Sequence, residues 1–281
     1  MNANTQEPIA QEAVFEAASI TKPVFAYTVC KLAQKGLIDL DETLHERFSF
    51  GSLAEMNPCY KEITVRHVLS HVSGLPNWGT EMIACPGEQF GYSGQGFEFL
   101  TKALAKSYTE VMDRKILAYL NEEVLTPFEM TNTYFVESPE LTQLCVDGHL
   151  EGKPTEQTFP KSPEMAFGMH CNAIDIAKFG IAMLQREGLN EQMANELFTI
   201  QTVVPDDEKE YNSDYEQGYS LGFYIRKSSH GKVFGHSGSN YDFKCLFEIY
   251  DDLKMGYVVM TNSDTGDMLT DEMAKFLVEG Y

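Results

Sequence analysis

Ser19-Ile20-Thr21-Lys22 leads into a run from Pro23 to Lys35 that reads as a helix, with Gly36 as its stop. A serine and a lysine three positions apart at a helix start lie on one face, about one turn apart, which brings hydroxyl and amine together. A free serine hydroxyl is a poor nucleophile. A lysine whose pKa is lowered by burial and neighbouring cations is a base able to activate it. The four-residue pattern is too common to decide a function alone, so its weight depends on the segments downstream of it.

Two later segments bear on the serine. Phe90-Gly91-Tyr92-Ser93-Gly94 lies in a loop from Cys85 to Gly96 that holds Pro86 and four glycines. A tyrosine between glycines can present its phenol in a cleft, and a phenolate beside an ammonium can take and return a proton. For any one of the fourteen tyrosines, a half-buried structural role is the plainer reading. Gly235-His236-Ser237-Gly238-Ser239 stands immediately before a predicted strand. Two glycines around a polar pair suit a strand edge that a substrate approaches closely, and its amides suit an oxyanion. A lone histidine there is more often structural.

A chain of 281 residues can bury a sizeable core, as one large domain or two interleaved lobes. Its hydrophobic content of 43% is ordinary, and no apolar run approaches the length that crosses a bilayer. The net charge of -21 repels phosphate backbones and anionic lipid, which argues against nucleic-acid and membrane partners. The dense acidic patch, Asp206-Asp207-Glu208-Lys209-Glu210, reads as a solvated loop. Cys30, Cys59, Cys85, Cys145, Cys171 and Cys245 show no C-x-x-C spacing, which argues against a zinc site, and most read as buried thiols. The stretch Met1 to Pro8 is neither basic nor apolar, unlike a signal peptide. As the sequence stands, these features point to a reducing, cytoplasmic setting; a missing natural front end would instead allow a periplasmic or secreted one.

Helical signals dominate the first two-thirds and strand signals the end. Thr64 to Ser70, Phe97 to Ala105, Glu110 to Leu125, Ala173 to Arg186 and Asp271 to Glu279 are expected as helices. Tyr219 to Ile225, Phe243 to Tyr250 and Met255 to Thr261 are expected as strands. His67 and His71 have a spacing that binds zinc on a helix, but Val68 stands where H-E-x-x-H needs glutamate, so structural roles are expected. The glycines at 91, 94 and 96 lack the strand and helix context of a dinucleotide site. Trp78, the only tryptophan, suits either a cleft wall or a core cover.

Taken together, the three segments resemble the penicillin-recognising serine hydrolases, in the branch around class C β-lactamases, D-alanyl-D-alanine carboxypeptidases, D-aminopeptidases and related esterases. That family carries S-x-x-K, then Y-x-N or a variant, then K-T-G or H-x-G, in this order. Leu69-Ser70-His71-Val72-Ser73-Gly74-Leu75-Pro76 is similar to its L-x-H-x-S-G-L-P turn, and Pro86 to Ser93 to its P-G-x-x-F-x-Y-S run. Thr126 to Met130, Asp175 to Phe179 and Gly218 to Phe223 resemble further family segments, so the likeness extends from about Val14 to Asn262. The resemblance implies an α/β fold of α+β type: an antiparallel sheet flanked by helices plus a mostly helical lobe. It implies one domain over 1–281, the lobe at approximately 50–165 lying between the nucleophile helix and the C-terminal sheet region.

By resemblance, Ser19 is the acylated nucleophile, Lys22 its immediate partner and Tyr92 the general base and later acid. The N–H groups of Ser19 and Ser239 would form the oxyanion hole, with Gly238 in the same segment. His236 would lie near a substrate carboxylate or complete the proton network, and Ser237 would hydrogen-bond that carboxylate. The implied activity is hydrolysis of an ester or small amide through an acyl-enzyme, with no metal and no organic cofactor. His236 is expected to make turnover depend on pH near neutrality.

Two departures from the family pattern matter. Gly94 occupies the place usually held by asparagine, which removes a contact to Lys22 and to the acyl amide and shifts the expectation from penicillins toward esters or unusual amides. Only eighteen residues precede Ser19, where relatives have a helix and two strands. Either the chain lacks its natural front end or the sheet has lost two strands, leaving an unpaired edge suited to a homo-oligomer. The rival expectation is a non-catalytic binding or scaffold protein that kept this fold and lost turnover.

Overall fold

In the computed structural model, which describes residues 8–111, 116–209 and 216–279, the Thr21–Gln34 helix runs through the core. Every residue from Thr21 to Cys30 is buried, Lys22 included, as expected for a helix covered on all sides. Pro23 sits in the first turn, where its missing N–H leaves no bond unmade. Gly36, at φ +69°, lets the chain turn away at the other end.

Six antiparallel strands form the main sheet, in the spatial order Met255–Thr261, Lys244–Tyr250, Gly231–Ser239, Tyr224–Ser228, Gln217–Tyr219, Thr202–Val203. All seven residues of Lys244–Tyr250 are buried, so both faces of this central strand are covered. On one face Phe223 and Phe247 pack on Phe179 of the Ala173–Leu184 helix, with ring centroids 6.3 and 6.2 Å away. Met255–Thr261 is an edge strand of this sheet.

Several sequence expectations need correction here. Tyr219 to Ile225 is not one strand: Gln217–Tyr219 and Tyr224–Ser228 are separate, joined through Gly222 at φ +80°. The segment Gly235 to Ser239 does not precede a strand; it is the second half of the nine-residue strand Gly231–Ser239, flanked by strands on both sides. Its glycines and polar residues hide the usual apolar alternation. Phe97 to Ala105 belongs to a longer helix, Gly94–Val111. The Glu110 to Leu125 expectation crosses 112–115, outside the described residues; beyond them a helix Ile116–Leu120 continues as a π-helical turn, Asn121–Leu125. No helix among the described residues is long and apolar enough to cross a membrane.

Cys30, Cys145, Cys171 and Cys245 are free thiols, but Cys59 and Cys85 form a disulfide across a sequence separation of 26. Reading most cysteines as thiols left open which of them pair, because spacing alone does not determine which cysteines meet in space. The bridge ties down the segment that carries His71, Asn77 and Trp78. Loop-closure entropy gives such a link about 3 kcal/mol. A Cys59→Ser/Cys85→Ser protein is therefore expected to unfold at clearly lower urea concentration than the oxidised parent; matching midpoints would show that the bridge contributes nothing to stability.

Candidate active site

Ser19 sits in a single 3-10 turn, Ala18–Ile20, that runs directly into the Thr21–Gln34 helix. Ala18 is held at φ +46°, a left-handed conformation that costs a residue with a Cβ about 1–2 kcal/mol. Neighbouring bonds hold the turn in place. The Ala17 N–H donates to the Met169 carbonyl at 2.9 Å, and the Met169 N–H donates to the Thr21 hydroxyl at 3.0 Å. The sequence after Ala18 thus places Ser19 on a fixed, strained corner next to Lys22.

Lys22 Nζ lies 3.0 Å from Ser19 Oγ and donates to the Ala166 carbonyl at 2.6 Å. Burial pushes its pKa down to about 7, while the carboxylate of Glu98 works in the opposite direction. Near neutrality a large fraction of this amine is unprotonated, unlike a surface lysine. The ammonium form also sits 4.8 Å from the centroid of the Tyr92 ring.

Tyr92 is clamped by His71. The two rings stack with centroids 4.4 Å apart, the Ser93 N–H donates to His71 Nδ1 at 3.1 Å, and the Gly91 N–H donates to the His71 carbonyl at 2.9 Å. With Nδ1 accepting a bond, His71 is neutral and carries its proton on Nε2; burial and the nearby Lys22 hold its pKa well below the usual value. His67 has a separate task, closing a capping box with Thr64 at the start of the Val65–Leu69 helix.

His236 lies with its ring centroid 6.0 Å from that of Tyr92. Its Nδ1–H donates to the Ser237 carbonyl at 2.5 Å, which leaves the lone pair on Nε2 inside the buried site. Burial first, and then Lys22, push its pKa down to about 3. The expected near-neutral titration of His236 is therefore corrected: this imidazole stays neutral from pH 5 to 8, and the group that titrates near 7 is Lys22. In the strand, His236 and Gly238 share one face and Ser237 and Ser239 the other. Gly238 faces the Ala18–Ile20 turn so closely that a Cβ there would overlap the Ala17 carbonyl oxygen and Cys245 Sγ.

A cavity of about 650 Å³ opens at Ser19. Ser239, Asn77, Trp78 and Phe167 line it, and Glu16, Glu156 and Asp242 make part of its wall anionic. Trp78, 58% exposed, meets Phe167 edge-on at 5.3 Å, so it belongs to the cavity wall and not to the core. Ser237 is not among the residues lining this cavity. Burial and Asp242 raise the pKa of Glu16, although its bond from Asn240 acts the other way. Lys22, Tyr92 and His236 form the layer beneath Ser19. This arrangement can remove a proton from an alcohol, hold a polarised carbonyl and return the proton to a leaving group.

Sequence reading missed Asn77 and underrated His71. Asn77 follows the Ser73 to Pro76 turn, and its only signal is indirect: Gly94, 17 residues on, lacks a side chain where Asn77 accepts its N–H at 2.9 Å.

Comparison with known proteins places this geometry in context. A model of the beta-lactamase family, "Beta-lactamase", matches residues 1–280. Penicillin-binding protein 4* of Bacillus subtilis is 22% identical over 308 residues, covering 92% of this chain and 63% of its own length. The octameric penicillin-binding protein homologue from Pyrococcus abyssi superposes with a TM-score of 0.81 at 23% identity, covering 98% of this chain and 68% of that one. A D-stereospecific amidohydrolase from Streptomyces superposes at 0.70 and 20% identity, over 94% of this chain and 87% of its own. The chain spans about three-fifths of the length of the curated relatives it matches first, at 58% and 63%.

Proposed function

Because the chain belongs to the beta-lactamase family and has the mixed helix and antiparallel-sheet fold of β-lactamases and transpeptidases, we propose that it is a serine hydrolase acting through an acyl-enzyme on an ester or small amide. The observation that carries this reading is the 3.0 Å approach of a buried lysine, its pKa near 7, to Ser19 Oγ beside an open cavity. The proton of Ser19 Oγ passes to the Lys22/Tyr92 pair as Oγ attacks the substrate carbonyl carbon. The N–H groups of Ser19 and Ser239 bind the oxyanion that forms. Collapse expels the leaving group, which takes the proton from the same pair, and water then releases the acyl group by the reverse sequence. His236, neutral throughout, offers Nε2 as a hydrogen-bond acceptor beside Tyr92.

Substrate charge follows from the cavity wall. Glu16, Glu156 and Asp242 line it without a lysine or arginine among the described lining residues, which favours neutral or cationic substrates over those bearing a carboxylate. The Streptomyces amidohydrolase supports amides as a substrate class.

The test is covalent labelling. A fluorophosphonate or fluorescent penicillin is expected to add one mass increment to native protein and none to Ser19→Ala, with p-nitrophenyl esters, nitrocefin and D-alanyl peptides then ranking the substrates. Absence of any adduct or turnover in protein shown to be folded would favour the non-catalytic scaffold instead.

A further inference from the structure

We propose that Glu98 is a positioning residue for the reaction at Ser19: through Ala166 it holds the Lys22 amine in place, and its negative charge stabilises the ammonium that forms when the Lys22/Tyr92 pair takes the serine proton. The proposal rests on the hydrolase reading above. It adds to the serine and its base a third group that orients the base and answers its charge, the part an aspartate plays beside a histidine in other serine hydrolases.

Glu98 comes from the second turn of the Gly94–Val111 helix and meets Lys22 through one buried residue. The Ala166 carbonyl accepts from Lys22 Nζ at 2.6 Å, and the Ala166 N–H donates to Glu98 Oε1 at 3.4 Å. The Gly168 N–H donates to the Glu164 carbonyl at 2.8 Å, so Ala166 lies inside a closed turn. Met169, just beyond that turn, bonds Ala17 and Thr21 on either side of Ser19. Glu98 therefore grips the segment that carries both the acceptor for Lys22 and the brace of the Ser19 corner.

Charge makes this link more than a tether. Tyr92 and Phe97 face Lys22 with their rings, at 4.8 and 5.6 Å from Nζ to the centroids, and His71 and His236 face it as neutral imidazoles. Glu98 is the carboxylate that acts on Lys22, and it opposes the burial that favours the uncharged amine. Around the half-buried Glu98 stand Glu164 and, one turn along its own helix, Lys102. Burial, and then Glu164, raise its pKa, while the bond from Ala166 and the charges of Lys102 and Lys22 hold it down. Removing the carboxylate charge has two opposed consequences. The amine loses its proton at lower pH, so more of it is free base near neutrality; the ammonium formed in the transition state is less stable, so each free amine reacts more slowly.

Glu98→Gln keeps an oxygen for the Ala166 N–H and removes only the charge. The rate of fluorophosphonate labelling at Ser19, followed by intact mass across pH, is expected to show a midpoint about one pH unit lower than in wild type and a plateau about threefold lower. The two profiles then cross, the variant labelling faster below the wild-type midpoint and slower above it. A merely structural glutamate gives no crossing, because lost packing slows labelling at every pH, and an unmoved midpoint would overturn the proposal. Glu98→Asp, with the charge on a shorter arm, is expected to bring the midpoint back toward wild type; one no higher than that of Glu98→Gln would count against the proposal equally. Titration of Lys22 itself needs no turnover. In Ser19→Ala protein carrying isotope-labelled lysine, the Lys22 NMR signal, identified by its loss in Lys22→Met, is expected to titrate about one pH unit lower once Glu98→Gln is added. Equal midpoints there would also refute the role of Glu98. Wild-type protein that never labels would sink the hydrolase reading alone, because this titration still decides what Glu98 does.

Discussion

Replacing Lys22 with methionine is expected to lower the rate of Ser19 acylation by at least about a hundredfold, the scale of a lost proton-transfer group, while making the folded protein more stable at neutral and acid pH. Both effects follow from one buried amine. In the wild type, acylation should rise with pH through a midpoint near 7, as Lys22 loses its proton, and level off above it. The methionine variant should show no such midpoint.

The stability effect has a definite sign. The folded pKa of Lys22 is depressed from 10.5 to about 7, so between those values the unfolded chain binds the proton and the folded chain does not. Stability therefore rises with pH across this window, and the burial penalty is fully present below pH 7. At pH 6 that penalty is on the order of 4 kcal/mol, offset in part by the bonds to Ser19 and Ala166 that methionine cannot make. Melting temperatures of the two proteins should differ most at pH 6 and converge toward pH 10.5. A variant that melts no higher than wild type at pH 6 would show that Lys22 carries no burial penalty, and one that acylates at near-normal rate would show that it is not used as a base.

Gly238→Ala is expected to be a damaging single-methyl addition at the site. The added carbon would overlap the carbonyl oxygen of Ala17 and the sulfur of Cys245, and the first of these is backbone that cannot rotate away. Relief requires the strand and the Ala18–Ile20 turn to move apart. Overpacking of this kind costs about 1–3 kcal/mol, and a shift near 1 Å in a reacting atom costs about a hundredfold in rate. Kinetics and urea unfolding of the same sample test both parts. Unchanged acylation in Gly238→Ala would mean that the turn and the strand are not in rigid register.

The parts of this architecture legible in the sequence were those written locally. Ser19 and Lys22 are three residues apart on one helix, so their meeting needs no long-range information, and the helix itself is announced by Pro23 and Gly36. The strands Lys244–Tyr250 and Met255–Thr261 are rich in aromatic and β-branched residues and were visible for that reason. The strand Gly231–Ser239 was not, because glycines chosen for close approach to Ala17 and Phe247 erase the alternating pattern. Asn77 and Gly94 illustrate a different limit. Each is ordinary alone, and only their hydrogen bond across 17 residues gives either a meaning. The pairing of Cys59 with Cys85 was hidden in the same way, as was the low proton affinity of His236, which comes from burial that no sequence motif records.

The corner that carries Ser19 is braced on both sides by Met169, through Ala17 and Thr21, and is backed by Gly238 and Cys245. The Ser19 hydroxyl is thus set by residues the ribosome adds 150 to 226 positions later. During synthesis the serine therefore emerges long before the frame that orients it, and the corner takes its shape only once the strand Gly231–Ser239 has been made.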